Sequence, residues 1–380
     1  MTPPIATGRQ LSLTFLGDPN SIHTRRWLGF FAERGHHVHL ILASDRPFEA
    51  ELDPRITVHP FPSQPRRFIR GTGVLAARRR LRAILAATNT DVLHAHYLTG
   101  YGWLARLSGF QPYVVTVWGS DVFLTPRRSL SARVWARVSL RGAKVVTADS
   151  AELARGAVSL GARPDRTRII QFGVDTDRFT PGDPSPGLRE RLGVEGRRVV
   201  FAPRSIAPLY RTTTAIDALD KLPGDVVLVL TSANAEPDYL RSVKDLVVER
   251  GLSDRVRIVP PITHDDMVDF YRLGDVVLSI PETDGTPVSI LEAMACGRPI
   301  VATNLPSVRE WLSGADGSSL VAIGDPHATA AALVRQLTRG RGFLDDDVRR
   351  ARAVVVARGD HVQNLLRMEA DYRILADSTP

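Results

Sequence analysis

Short apolar runs alternate with stretches of helical period along most of this 380-residue chain, and they do so in two series. Leu11–Leu16, Val38–Ala43, Ile56–Phe61, Val92–His96, Tyr113–Val117 and Val145–Ala148 form the first. Arg198–Ala202, Val226–Thr231, Val256–Val259, Val276–Ile280, Ile300–Ala302 and Leu320–Val321 form the second. A run this short and continuously apolar is a strand buried on both faces, the condition met inside a parallel sheet covered by crossover helices. Amphipathic helices at His23–Arg34, Val74–Ala87 and Leu98–Ser108 fit that role. The polar stretch Asp175–Gly193 interrupts the alternation, and 380 residues is ample for two domains, each with its own core. The chain therefore predicts two Rossmann-like α/β halves, with a helical terminal segment over Asp346–Ala376.

Residues 275–303, DVVLSIPETDGTPVSILEAMACGRPIVAT, carry the chemistry. An apolar strand ends in a loop, Pro281 to Pro287, which opens a helix over Val288–Cys296 that Gly297 closes as a left-handed cap. Asp284 lies in the loop and Glu292 two turns into the helix, with Gly285 and Thr286 between them at the helix N-terminus. The first amides of a helix are unpaired and sit at its positive end, so they favour an anion. A carboxylate accepts two hydrogen bonds from a vicinal diol. Phosphate and diol together describe a nucleotide sugar. An exposed position for Glu292 is at odds with its neighbours Ile290, Leu291, Ala293 and Met294.

This stretch resembles the Glu-x7-Glu region of retaining glycosyltransferases of family 4, which have the GT-B fold and usually read E-G-x-x-x-P-x-x-L-E-A-M-A-x-G-x-P-V-V-A-T. Here Asp284 stands where the first Glu is expected, and the match is close from Gly285 to Thr303. GARPDRTRIIQFGVDTDRFTP is similar to the family's passage between domains. The resemblance implies an acceptor-binding domain at 1–178 and a nucleotide-sugar-binding domain at 179–355. A C-terminal helix, 356–380, would cross back onto the first domain. Two first-domain segments extend it. DVLHAHY, Asp91–Tyr97, looks like the family's strand ending in His-x-His, and VVTVWGSDVF looks like its next strand and loop, of the Trp-Gly-Ser-Asp branch. Trp118 replaces the histidine many members place near the reacting sugar, leaving His96 and Asp121 as the ionisable candidates there. Each also reads as a buried histidine or a loop-holding cap.

The resemblance assigns further roles. VVFAPRSIAPLYRTTTAIDAL resembles the family's strand and Arg-x4-Lys turn: Arg204 keeps the arginine that contacts the donor diphosphate, while Leu209 stands at the lysine. Arg211, two places on, is either a replacement phosphate contact or a solvated loop arginine. Glu292 would bind ribose hydroxyls, Asp284 the transferred sugar, and the Gly285 and Thr286 amides the phosphates. Gly17, after the first strand, joins the donor-binding set, and the base pocket is expected around Pro260–Thr263. Arg204, Asp284, His96 and Asp121 are the catalytic candidates. Asp175-Thr176-Asp177 could hold a metal in another fold, but it falls in the domain connection and reads as structural. No metal and no cofactor are expected beyond the nucleotide-sugar co-substrate.

Composition narrows the partners. Residues 1–180 hold 25 Lys or Arg against 13 Asp or Glu, a net of +12 in a chain whose total is +8. Seven arginines fall between Arg66 and Arg82, and another cluster comprises Arg127, Arg128, Arg133, Arg137 and Arg141. Such a face would attract anionic lipid headgroups or a phosphorylated acceptor. With only three lysines in the chain, arginine is the default base, so a solvated face is the alternative. The basic runs lack interleaved aromatics, which argues against nucleic acid. A dinucleotide enzyme is disfavoured, because Gly17-Asp18-Pro19-Asn20-Ser21 follows the first strand in place of G-x-G-x-x-G. No signal peptide or membrane-spanning run is evident, and the single cysteine, Cys296, next to the helix cap, reads as a packing residue. A cytoplasmic enzyme, peripheral on the inner membrane face, is expected. Its reaction would be retaining transfer of a sugar from a nucleoside diphosphate to a saccharide, lipid-linked or natural-product hydroxyl. A non-catalytic nucleotide-sugar or glycan-binding partner subunit and a GT-B sugar-nucleotide epimerase are the alternatives.

Overall fold

The structure, a computed structural model, describes residues 8–43, 51–61, 72–312, 317–338 and 341–378. It divides into two compact units, one of residues 1–172 with 362–380 and one of residues 173–361.

Unit 1 holds a seven-stranded sheet of order β3-β2-β1-β4-β5-β6-β7. Its strands are β1 (Ser12–Leu16), β2 (His37–Leu42), β3 (Ile56–Pro60), β4 (Val92–His96), β5 (Tyr113–Thr116), β6 (Val145–Ala148) and β7 (Thr167–Ile169). Unit 2 holds a six-stranded sheet of order β10-β9-β8-β11-β12-β13. These are β8 (Arg198–Ala202), β9 (Val226–Thr231), β10 (Val256–Val259), β11 (Val276–Ser279), β12 (Ile300–Thr303) and β13 (Ser318–Val321). Every pairing in both sheets is parallel. Each unit is therefore a Rossmann-like domain built on a doubly wound parallel sheet. In each sheet the winding reverses once, between β1 and β4 and between β8 and β11, and the loops leaving those neighbouring strands diverge.

The expected strands form, because their residues are apolar on both faces: all six residues of β9 and all five of β4 are buried. β7 was not expected. It is an edge strand of three residues, half-buried to exposed, and so too short and polar to stand out in sequence. The helix expected over Leu98–Ser108 begins instead with a π-type turn, Leu98–Gly102, in which Thr99 and Gly100 are non-helical, and only Trp103–Ser108 is α-helical.

The terminal helical segment is two helices, Arg341–Arg358 in unit 2 and His361–Asp377, which lies almost wholly in unit 1. The break has a definite cause. The amide of Val174 donates to the carbonyl of Gly359 (2.9 Å), and that of His361 to the carbonyl of Val174 (2.9 Å), replacing the helical ladder with a parallel bridge. Gly173, at φ +69°, makes the approach feasible: a Cβ there would stand 2.7 Å from the Gly359 oxygen. Thr176 adds a 2.6 Å hydrogen bond to Asp360, so the connection after residue 172 coheres with unit 2.

The helix His361–Asp377 is bound into unit 1 by polar and apolar contacts. Tyr372, fully buried, packs against Phe15 and Phe31, and its hydroxyl meets Nδ1 of His94. Burying an aromatic of this size is worth roughly 1.5–3 kcal/mol. Glu369, buried, takes the guanidinium of Arg34 and that of Arg373 (2.8 Å), with His36 Nε2 at 3.2 Å. Burial raises its pKa, but these three donors together outweigh burial and hold it at about 2.

His94 and His96 are both buried in β4, and burial, the largest cause, drives both pKa values down, that of His96 to about 3. A histidine kept neutral in the fold leaves the unfolded chain to bind the proton first as pH falls below 6.5. Stability is therefore complete above that pH and declines below it, by about 1.4 kcal/mol per pH unit for each such histidine. Denaturant melts of the chain between neutral pH and pH 5 are expected to show this slope, and His96→Asn to reduce it by roughly one histidine's share. An unchanged slope in that variant would show that His96 takes up its proton in the folded state.

Candidate active site

In unit 2, β8 and β11 are neighbours at the winding reversal, so the loops at their carboxyl ends meet. The first carries Arg204 and the second Asp284, and Nη1 of Arg204 lies 3.2 Å from Oδ2 of Asp284. The side chains are 23% and 9% exposed. Arg204 also reaches Oγ of Ser289 at 3.4 Å and stacks its guanidinium 4.4 Å above the ring of Tyr210. Burial opposes the charge of Arg204, but Asp284, followed by Tyr210 and Tyr271, more than offsets it and raises the pKa. For Asp284 burial wins: its pKa is raised despite Arg204 and the Gly285 amide. The site thus holds a fixed cation beside a carboxyl that gains a proton more readily than usual.

The helix Val288–Ala295 starts beside this pair, with Pro287 at its N-cap and Gly297 in the left-handed conformation after its end. Asp284 does not cap it. Its carboxylate engages the Gly285 amide, one of the two amides expected to face phosphate, and the Thr286 carbonyl accepts from Val288 (2.9 Å). Glu292 is half-buried between fully buried Leu291 and Ala293, and its Oε2 accepts a 2.7 Å hydrogen bond from Tyr271. Tyr271 is wholly buried, and burial, then the charge of Glu292, keeps its hydroxyl protonated. Arg211 follows the turn Pro208–Tyr210 in the left-handed conformation and forms an ion pair with Glu282. Cys296 is buried, and burial pushes its thiol up to about 12, as befits a packing residue.

In unit 1 the equivalent reversal places Gly17 at the end of β1 and His96 at the end of β4. A Cβ on Gly17 would lie 3.1 Å from Thr24 Cγ2 and 3.4 Å from the His96 Cβ, so a larger residue there would have to move Thr24 by a few tenths of an ångström. His96 sits edge-on to Trp27 (4.9 Å between centroids) and Phe15 (5.5 Å), with Nδ1 3.4 Å from the Thr24 hydroxyl. Asp121 is fully buried. Oδ2 accepts from the Leu98 amide (2.7 Å), and Oδ1 from those of Trp118 and Gly119 (2.9 Å each). Its geometry is that of a clasp joining two loops, not of a carboxylate facing a substrate. It explains why Leu98 opens a distorted turn and holds Tyr97 at φ +98°, a strained value for a non-glycine residue. Trp118 packs against Phe172 (5.2 Å) and His23 (5.9 Å). The Asp-x-Asp of the connection is a turn: Asp175 Oδ1 accepts from the amides of Asp177 (3.1 Å) and Arg178 (3.0 Å).

In unit 2 Arg204 meets Asp284, Asp284 the Gly285 amide, Glu292 the Tyr271 hydroxyl and Arg211 Glu282, whereas in unit 1 Gly17 lies against His96 and Asp121 is bonded to loop amides. Sequence reasoning missed Tyr210, Tyr271, Glu282 and Ser289. Tyr271 reaches Glu292 from 21 residues away on another helix, and no local pattern announces such a pairing. Pro260–Thr263 follow β10, and Pro260, Pro261 and Ile262 line a cavity of about 320 Å³ with Leu188, Asp266 and Phe270.

Known proteins agree with this architecture. The profile of the Glycosyl transferase 4-like family matches residues 12–150, and that of Glycosyl transferases group 1 matches residues 196–339. The D-inositol 3-phosphate glycosyltransferase of Geodermatophilus obscurus is 30% identical over 353 residues, 84% of this chain and 77% of that protein. Its namesake from Xylanimonas cellulosilytica is 34% identical over 286 residues, 70% and 67% of the two chains. Among solved structures, Anabaena HepE in complex with UDP superposes with a TM-score of 0.80 at 21% identity, covering 96% of this chain and 100% of that one. A glycosyltransferase from Rickettsia africae gives 0.83 at 16% identity, covering 98% and 100%. The chain belongs to the family 4-type glycosyltransferases with the GT-B fold.

Proposed function

We propose that the chain is a retaining glycosyltransferase that transfers a sugar from a nucleoside diphosphate to a hydroxyl of a saccharide, lipid-linked or natural-product acceptor. The observation that carries this reading is the buried Arg204–Asp284 pair beside the N-terminus of the helix bearing Glu292. HepE binds UDP, and a further HepE structure holds UDP-glucose, on the same fold. Arg204 is the group that meets the diphosphate, and Glu292, oriented by Tyr271, accepts from the ribose diol. As the bond from the anomeric carbon to the diphosphate breaks, its electron pair stays on the leaving phosphate oxygen. Arg204, already desolvated, stabilises that charge without reorganising. The acceptor oxygen bonds to the same face of the anomeric carbon, and its proton passes to a donor phosphate oxygen. Asp284 orients hydroxyls of the transferred sugar. No metal or resident cofactor enters this proposal.

The relatives named for inositol 3-phosphate act on a phosphate-bearing acceptor. The net +12 of residues 1–180 supports an anionic acceptor for this chain too. Peripheral membrane contact fits the same surface. On the helix Leu130–Gly142, Leu130, Val134 and Trp135 are exposed alongside Arg133, Arg137 and Arg141. Arg66, Arg67 and Arg70 lie outside the described residues, as do the side chains of Arg127 and Arg128. Among the described residues no helix is long and apolar enough to cross a membrane.

Two measurements test these readings. In a thermal-shift and calorimetric screen of UDP, GDP, ADP, TDP and CDP, with their common sugars, one base is expected to stabilise the wild type. At saturating ligand the gain is about 3 kcal/mol, and it should be largely lost in Glu292→Ala and Arg204→Met. No response to any nucleotide would refute the donor site. Sedimentation with phosphatidylglycerol vesicles should carry down the wild type, less so at high salt or in a Leu130→Gln/Val134→Gln variant. Equal recovery from purely zwitterionic vesicles would remove the charge argument.

A further inference from the structure

Both arginines of the unit 2 site are already occupied by carboxylates from one loop: Arg204 by Asp284, and Arg211 by Glu282. The second pair joins two loops distant in sequence, and Glu282 takes no part in the donor contacts described above. It is half open to solvent, with its side chain 46% exposed, so it is not a core residue that folding would force into place. Yet the loop and the turn are tied twice at this point. The Glu282 amide donates to the Leu209 carbonyl (2.9 Å), and its carboxylate holds the Arg211 guanidinium. Arg211 adopts φ +53°, ψ +42°, a conformation that costs a non-glycine residue and persists only where its surroundings enforce it. Its Nε is buried without a hydrogen-bond partner, so the pair leaves this donor unused. Its Nη1 lies over Gly324, where a Cβ would approach to 3.4 Å.

The charges make the consequence plain. Arg204 is paired with Asp284 and Arg211 with Glu282, and Glu292 on Tyr271 adds a third carboxylate, so these groups together offer no net positive charge to an incoming diphosphate. Arg204 is buried with its partner and keeps it at little cost. Arg211 and Glu282 are both partly exposed, and a pair of that kind is worth only about 0–1 kcal/mol. We propose that Glu282 is a displaceable counter-ion: it holds Arg211 in place while the site is empty and yields it to the donor diphosphate, thereby setting donor affinity. This rests on the donor reading above. A guanidinium that exchanges a carboxylate for phosphate keeps its charge-assisted hydrogen bonds, and phosphate can engage it in the bidentate mode.

The test is calorimetric titration of UDP and GDP, at low and high salt, into wild type, Glu282→Gln, Arg211→Met and the double variant. Gln keeps the length and the backbone hydrogen bond, and it can still accept from Arg211, so the turn keeps its anchor. The proposal expects Glu282→Gln to tighten binding about three- to tenfold, most at low salt, and Arg211→Met to weaken it. In the Arg211→Met background the Glu282 effect should vanish. A Glu282→Gln variant that binds more weakly than wild type would make Glu282 an orienting residue only. Unchanged affinity, or tightening that survives removal of Arg211, would overturn the exchange. Absence of nucleotide binding by the wild type itself would refute the donor reading, and the counter-ion with it.

Discussion

Everything in the candidate site depends on where the winding of each sheet reverses. Between β8 and β11 adjacent parallel strands send their chains to opposite sides, so two loops at neighbouring carboxyl ends are left without a crossover between them. This constraint puts Arg204 within 3.2 Å of Asp284 although 80 residues separate them in sequence. The same reversal between β1 and β4 brings Gly17 against His96. The strands themselves are interchangeable apolar runs. Their order gives particular loop residues a chemistry.

The two constellations differ in electrostatic character. In unit 2 Arg204 is paired with Asp284 and Arg211 with Glu282, Glu292 is a third carboxylate, and the balance among them decides what charge the unit offers. In unit 1 the groups at the corresponding place are uncharged or already satisfied by the backbone. His96 is enclosed by aromatic rings and kept unprotonated, Trp118 packs edge-on against Phe172, and the carboxylate of Asp121 is consumed by three backbone amides. A buried carboxylate satisfied in this way stabilises loop geometry and is poorly placed to exchange protons. Unit 1 therefore contributes shape and a strained loop conformation at Tyr97, while the formal charges that would handle a diphosphate lie in unit 2.

Much of this was legible in the sequence because it is local. Strands buried on both faces announce themselves as continuous apolar runs, and the loop–helix over 281–297 could be read with its cap because Gly297 follows the last apolar position. What escaped has a common physical origin: partners that come from distant segments. The Tyr271–Glu292 hydrogen bond joins two helices. The break of the C-terminal segment at Gly359 and Asp360 comes from competition by the backbone of Val174, and helical periodicity on either side carries no trace of it. Likewise Asp121 reads in sequence as either an ionisable candidate or a loop-holding cap, because the three amides that satisfy it are specified by loop conformation, not by residue identity. Glu282 went unnoticed beside Asp284 because only the folded turn brings Arg211 to it.

Whether Arg204 and Glu292 receive the nucleotide is decided by a crystal structure of the chain with the stabilising nucleoside diphosphate. The ribose diol is expected on Glu292, with Tyr271 still behind it, and the diphosphate on Arg204 and Arg211, with Glu282 turned away. A nucleotide seated elsewhere, with both arginine–carboxylate pairs intact and Glu292 bonded to Tyr271 alone, would contradict it.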